Sequence, residues 1–516
     1  MNRRTFLKQC GGTTAAALAI APWELGAQKL PDNAAAAGSF IIADPKPQFE
    51  LSPYLYMQFM EPLGATDGSV EAAWDHLHEK WRDDVIEVTR ELAPPMMRWG
   101  GIFSDYYRWR EGVGSRDQRP AMLNLLWGGL ESNQVGTAEF VDFCRQVGAD
   151  PLMCVNFESD GRQQYRQANG RIRTADANEA AEWVAYCNQP GNSERRAHGH
   201  PEPLSIGHWQ IGNETSYDKN GFNFEVAARK TVEFSQAMRK ADPGIKLIAW
   251  GDSGWAGRMA EAAGEHVQYL AFHHMFDPDS PQRPVLRGEL YRRDPDATWE
   301  QLMKAWQITD AKIRSVRDNL GRHPIPLALT ECHFAIPGRD RCDVLATWAA
   351  GVSYARILNN HQRHGDVLKI ATAADFCGTR WQNNALMIPI PRGNGRAYLQ
   401  PVARVMQLYR HHIGSHSLHI THTPDGLDVA ASIRGESVYF HVANIRRTRS
   451  VRTQLAVTGK KLLEGRVFEI IADPAVEISY LNSSEVMQTR EKSFPPENMW
   501  EFPPASVSVV EFKLAV

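Results

Sequence analysis

Between residues 50 and 410 the sequence alternates short β-rich apolar runs with longer segments of helical period, and this limits the fold more than any other feature. Eight runs qualify: residues 55–59, 96–99, 152–157, 208–212, 246–250, 269–273, 326–330 and 368–373. Helix-period segments lie between them at 70–92, 137–147, 225–240, 299–320 and 343–359. In the second of these Phe140, Cys144 and Val147 share one face; in the third Ala227, Thr231, Phe234 and Met238 do. Strands separated by helices pair in parallel through crossover connections. Eight such units predict an α/β fold, a (β/α)8 TIM barrel with insertions over residues 48–410. An open doubly wound sheet would use the same alternation, but no Gly-x-Gly-x-x-Gly follows any run.

Beyond residue 410 the period changes from helix-like to strict alternation. Leu427, Val429, Ala431 and Ile433 alternate with other residues, as do Val438, Phe440 and Val442, with turns at Asp425-Gly426 and Arg434-Gly435. Short alternating strands with frequent turns predict a C-terminal β-sandwich over residues 411–516, with a further strand drawn from residues 38–47. The N-terminus reads as an address. Asn2-Arg3-Arg4-Thr5-Phe6-Leu7-Lys8 precedes an Ala-rich run. Residues 1–30 are therefore expected to be a twin-arginine signal directing the protein to the periplasm or the cell exterior. The apolar run is too short for a permanent membrane span, so no integral membrane segment is expected.

Composition narrows the partners. A net charge of −3 across 516 residues gives no electrostatic reason to expect nucleic acid. Fifteen tryptophans and fourteen tyrosines supply flat rings of the kind that stack on sugars, although such rings also fill cores. Of the seven cysteines, none forms a Cys-x-x-Cys pair, which argues against a zinc knuckle or dithiol centre. Neither a metal nor another cofactor is expected, and homo-oligomerisation is left open.

The chemistry is carried by two strand ends. Ile211-Gly212-Asn213-Glu214 closes the fourth run, and Thr330-Glu331 closes the seventh, 117 residues later. In a (β/α)8 barrel, side chains at the C-terminal ends of strands face the active site. Two carboxyl groups placed there suit glycoside hydrolysis, in which one protonates the leaving oxygen and the other acts as nucleophile or base. Asn213 could hydrogen-bond the hydroxyl next to the reacting carbon.

The stretch from Met97-Arg98-Trp99-Gly100-Gly101 through Tyr107-Arg108-Trp109-Arg110-Glu111-Gly112 resembles the Arg-aromatic-Pro-Gly-Gly segment of glycoside hydrolase family 51, the α-L-arabinofuranosidases. Leu51-Ser52-Pro53-Tyr54, Phe59-Met60-Glu61-Pro62, Leu130-Glu131-Ser132-Asn133, Trp209 to Glu214 and Phe502-Pro503-Pro504 follow in the family's order. The resemblance implies a clan A barrel with a C-terminal sandwich and a carbohydrate substrate. It implies Glu214 as acid/base and Glu331 as nucleophile of a retaining exo-hydrolase releasing terminal α-L-arabinofuranosyl residues. It further implies Asn213 on the 2-hydroxyl, Glu61 on sugar hydroxyls, His273 beside the catalytic pair and Arg98 close to the nucleophile. Trp381, after the eighth run, is a candidate sugar platform.

The chain also departs from the family. The proline before Gly100-Gly101 is missing, Ile102 replaces a small polar residue or Cys, and Glu331 continues as Cys332-His333-Phe334 in place of Glu-Trp. The family's sugar-binding glutamine falls near Arg396 or Gln400. Other readings are a β-D-galactofuranoside, β-xyloside or β-glucan as substrate, or a non-catalytic carbohydrate-binding homologue. A metal site using His273, His274, Asp277, Glu331 and His333 is a further reading, without support from any His-Glu-x-x-His spacing.

Overall fold

The computed structural model describes residues 39–217 and 221–515. The twin-arginine segment lies outside the described residues. Eight parallel strands form one sheet: β1 (Gln58–Met60), β2 (Met96–Trp99), β3 (Asp150–Val155), β4 (His208–Ile211), β5 (Lys246–Trp250), β6 (Tyr269–Phe276), β7 (Leu327–Phe334) and β8 (Leu368–Ala371). Each pairs with its neighbour in sequence order, and the Met57 N–H donates to Ala371 O at 2.9 Å, joining the last strand to the first. Eight helices follow the strands: α1 (Asp83–Leu92), α2 (Thr137–Val147), α3 (Ala177–Asn188), α4 (Phe224–Ala241), α5 (Ala256–Ala263), α6 (Pro295–Leu320), α7 (Trp348–Arg363) and α8 (Pro401–His411). This is the (β/α)8 barrel that the alternation predicts.

Helix boundaries follow capping chemistry. Asp176, Asn223, Asp294 and Thr347 accept backbone N–H groups of the first turns of α3, α4, α6 and α7. Such caps satisfy donors that a helix start leaves unpaired. The expected helix over 70–92 is interrupted. A hairpin pairs Trp74–Asp75 with Lys80–Trp81, and only Asp83–Leu92 continues as a helix of length. Asp75 Oδ1 accepts from the N–H groups of Leu77 and His78, making a turn that competes with helix, and Trp74 meets Trp81 edge-on at 5.4 Å.

The sandwich begins with Phe40–Glu50, which pairs antiparallel with His416–His422 and parallel with Val451–Val457. It belongs to one nine-stranded sheet that folds over a common apolar core. Ile41, Val429, Phe440, Leu455, Phe502 and Phe512 meet in that core, from both ends of the strand order. The alternation at 427–433 and 438–442 is thus an inner face. The other face of Ser437–Asn444 is also buried, because α7 covers it. At that junction Asp428 accepts from Arg356, Arg363 and Asn359, each at 3.0 Å, and the Trp348 indole donates to Ala505 O at 2.6 Å. Burial pushes the Asp428 carboxyl up, but Arg363 and Arg356 together hold it below its ordinary value. All six cysteines between 144 and 377 are buried free thiols. No helix among the described residues is long and apolar enough to cross a membrane.

Candidate active site

Strand periodicity builds the floor of the site. Met57, Met96, Leu152, Ile248, Trp250, Ala271, Ala328 and Ile370 fill the barrel interior as an apolar layer. Side chains two residues further along a strand face the same way. Those positions carry Arg98, Cys154 and His273, so the interior turns polar toward the C-terminal ends of the strands.

Strand β7 breaks this period. Phe272 pairs with Leu329, but His273 pairs with Glu331, so Thr330 is an extra residue. One extra residue flips every later side chain to the opposite face. Ala328 faces inward before the bulge; after it Glu331 faces inward, while Cys332 and Phe334 join the outer core. The bulge therefore delivers Glu331 to the site, and His273 Nε2 lies 3.0 Å from Thr330 Oγ1.

Arg98 organises the floor. Fully buried, it donates to Glu331 Oε1 at 2.7 Å, to Asn213 Oδ1 at 2.8 Å and to Gln210 Oε1 at 2.9 Å. Burial alone would lower the guanidinium pKa, but the Glu331 charge and hydrogen bond, with the neighbouring Cys154 and Glu61, together raise it. The bond from Arg98 fixes the Asn213 amide with its oxygen inward. Asn213 Nδ2 is then a buried donor without a protein acceptor among the described residues.

Glu214 follows a tight exit from β4. Gly212 sits at φ 76°, and a Cβ there would lie 2.9 Å from Phe157 Cβ. Glu214 itself adopts φ 50°, a left-handed conformation that costs a non-glycine residue about 1 kcal/mol. Its Oε1 lies 3.0 Å from His273 Nδ1, which is 3.7 Å from Glu331 Oε2. One ligand-capable atom each from Glu214, His273 and Glu331 lies within 4.8 Å of the others. Burial raises the Glu214 carboxyl to about 7, with Arg162 and Arg98 pulling the other way. Burial drops His273 to about 3, so its imidazole is neutral.

One wall is built from β1, β7 and the loop after β8. Glu61, 8% exposed, accepts from the Phe103 N–H at 3.3 Å and the Trp127 indole N–H at 3.4 Å. Burial, then the Glu331 charge, push its carboxyl well above the ordinary range. Gly101 lies against it at φ 132°, where a Cβ would fall 2.2 Å from Glu61 Cδ. Trp127 meets Trp381 edge-on at 5.3 Å, and the Arg341 guanidinium covers Trp381 at 4.2 Å. Buried Asp67 holds the Trp381 loop by accepting from the N–H groups of Thr379, Arg380 and Trp381 and from Asn384 Nδ2. His333 lies between Asp375 Oδ1 at 2.6 Å and Arg341 Nη2 at 3.1 Å.

The structure brings Glu214, Glu331, Arg98, Asn213 and His273 into one hydrogen-bonded floor, with Glu61 and Trp381 on the wall beside it. Arg396 instead pairs with Glu87 of α1 at the surface, and buried Gln400 bonds Gln382 at 2.6 Å. Ile102 is half-buried against the barrel's outer core. Of the residues suggested for a metal, His273 and Glu331 meet, but His274 and Asp277 are turned to other partners. His274 stacks on Phe276 at 4.6 Å, and Asp277 pairs with Arg287 at 3.1 Å. Glu214, His273 and Glu331 are close enough to share an ion, but the buried Arg98 charge already occupies that role for Glu331. Gln210, Thr330, Trp127, Asp67, Asp375 and Arg341 were not singled out by sequence reasoning. Gln210 alone carried a signal, as an inward strand position two residues on from His208.

An eight-stranded parallel barrel with one glutamate just past β4 and another within β7 is an arrangement that suits glycoside hydrolysis. The family model described as the α-L-arabinofuranosidase 1 domain matches residues 88–292. α-L-Arabinofuranosidase C of Emericella nidulans is 34% identical over 215 residues, 40% of this chain and 40% of the fungal protein. An intracellular exo-α-(1→5)-L-arabinofuranosidase of Acetivibrio thermocellus is 32% identical over 245 residues, 44% of this chain and 46% of its own length. The matched segments thus span under half of these relatives. The family 51 α-L-arabinofuranosidase of Thermotoga petrophila superposes with a TM-score of 0.71 at 25% identity, covering 92% of this chain and 99% of that one. The chain is thus similar to α-L-arabinofuranosidases in sequence over residues 88–292 and to a family 51 enzyme in fold over most of its length.

Proposed function

We propose that the protein is a retaining exo-α-L-arabinofuranosidase in which Glu331 is the nucleophile and Glu214 the acid/base. The observation that carries this reading is the approach of Glu214 and Glu331 oxygens to within 4.8 Å. Retaining glycosidases separate their carboxyl groups by about 5–5.5 Å, and inverting ones by about 6.5–9.5 Å to admit a water. Glu331, held by Arg98, attacks the anomeric carbon. Glu214, protonated below about pH 7, gives its proton to the departing oxygen. Glu214 then takes a proton from water, which attacks the glycosyl–Glu331 ester and frees the sugar with its configuration kept. Neutral His273 positions the Glu214 carboxyl without adding a charge that would lower its pKa. The free Asn213 amide N–H suits the hydroxyl beside the reacting carbon.

Exo action is supported by the wall of Glu61, Trp127 and Trp381, which bounds the floor on one side. The Arg3-Arg4-Thr5-Phe6-Leu7-Lys8 motif supports export to the periplasm or cell exterior. The test is turnover of aryl glycosides, with the anomer of the first-formed product read by NMR. Hydrolysis of the α-L-arabinofuranoside with the α-anomer formed first is expected. Activity only on a β-D-galactofuranoside, β-xyloside or β-glucan would replace the substrate; β-anomer first would replace the mechanism.

A further inference from the structure

Arginines around the barrel mouth are mostly matched to carboxylates. Arg98 meets Glu331, Arg119 meets Glu139, Arg162 meets Asp160 and Arg173 meets Glu111. Arg341 is different. Its guanidinium has five N–H donors, yet its one hydrogen-bond partner is His333 Nε2, and no carboxylate lies within 4.0 Å of it among the described residues. It is half-buried.

Its placement is built. Arg341 and Cys342 both adopt left-handed backbone, φ 52° and 61°, a conformation that clusters at functional sites. The Gln382 N–H donates to Arg341 O at 3.0 Å, tying the segment to the Trp381 loop. The Trp381 ring supports the guanidinium from below at 4.2 Å. Asp375, held by Asn383 Nδ2 at 3.0 Å, has its Oδ1 2.6 Å from His333 Nδ1, and His333 Nε2 is turned to Arg341. His333 lies two residues beyond Glu331 on β7, about 7 Å nearer the mouth at the strand rise of roughly 3.3 Å per residue. Arg341 Nη2 meets His333 Nε2 at 3.1 Å, so the guanidinium is anchored about one sugar-ring length along the strand from Glu331.

We propose that Arg341, supported by Trp381 and His333, is a carboxylate subsite: it binds a uronic acid residue flanking the arabinofuranosyl unit, so the preferred substrate is an acidic glycan. A planar guanidinium matches a carboxylate with two parallel hydrogen bonds. The field at this point permits an anion. Burial and the Glu331 charge push the Glu61 carboxyl up, and Arg98 balances Glu331.

The inference rests on the glycosidase reading for its kinetic arm only. In that arm kcat/KM is measured on an arabinofuranosylated oligosaccharide carrying galacturonate beside the arabinose, and on its methyl ester. Wild type is expected to favour the acid by about tenfold or more at low salt, with the preference shrinking as salt rises. R341Q loses the preference, and R341K keeps part of it. In the second arm, which needs no turnover, calorimetry compares galacturonate with galactose. Galacturonate binding by wild type that is lost in R341Q supports the subsite even if no arabinofuranoside is cleaved. Equal handling of acid and ester with no difference between galacturonate and galactose, or an acid preference that survives in R341Q, overturns it.

Discussion

The floor and the rim of the site are built on opposite terms. On the floor every titratable group is committed: Arg98 to Glu331, Asn213 and Gln210, and His273 to Glu214 and Thr330. At the rim Arg341 has one hydrogen-bond partner, and Trp381 presents its ring between Trp127 and that guanidinium. A committed floor fixes protonation states and distances, which suits one reaction. An uncommitted rim leaves donors for a ligand, which suits selection among substrates. Of the departures from the family 51 pattern, His333 falls at the rim, while Glu214 and Glu331 fall on the floor.

The comparison can be broken most severely at Glu331. E331Q should lower kcat by about 10⁴-fold or more with the fold intact by circular dichroism, since the covalent step loses its nucleophile. R98M should come next. It leaves the Glu331 charge buried and unpaired, an expected loss of about 3–5 kcal/mol in denaturant unfolding, together with lost activity. A loss below about 1 kcal/mol would mean the floor is less committed than its geometry.

Glu214 gives the sharpest pH test. Its folded pKa of about 7 lies above its ordinary 4.5, so the folded state binds more protons between those values. The contribution of Glu214 to stability is therefore greatest below pH 4.5 and is lost as pH rises toward 7. E214Q should flatten that part of the stability profile. In wild type kcat/KM should fall above about pH 7 as the acid deprotonates, and E214Q should lack this limb while retaining more activity on a 2,4-dinitrophenyl than on a 4-nitrophenyl leaving group. The smallest effect is expected far from the pocket. D428N at the α7–sandwich junction should cost about 1–3 kcal/mol in unfolding and leave kcat unchanged at 25 °C. A change in kcat would show that the junction, and not the floor alone, sets the site.

The barrel was legible because period is a property of the chain itself. Residues 137–147 form a helix with the bounds expected, and residues 96–99 and 246–250 form strands likewise. The interruption at Trp74–Trp81 was hidden because the Asp75 turn and an edge-on tryptophan pair override helical period locally. On the floor, Glu214 and Glu331 could be picked out as strand-end carboxylates. The Thr330 bulge that turns Glu331 inward could not, because a register shift exists only against the neighbouring strand. The rim was the least legible part. Trp127, Asp375 and Arg341 come from separate segments, and no spacing along the chain says that they meet.

The central claim is that Glu331 becomes covalently glycosylated while Glu214 handles the proton. A mechanism-based arabinofuranosyl trap, followed by peptide mass spectrometry, tests it directly. One label per chain on the peptide containing Glu331, absent in E331Q and formed in E214Q with an activated leaving group, is the expected result. A label on Glu214, Glu61 or any other residue would contradict the assignment.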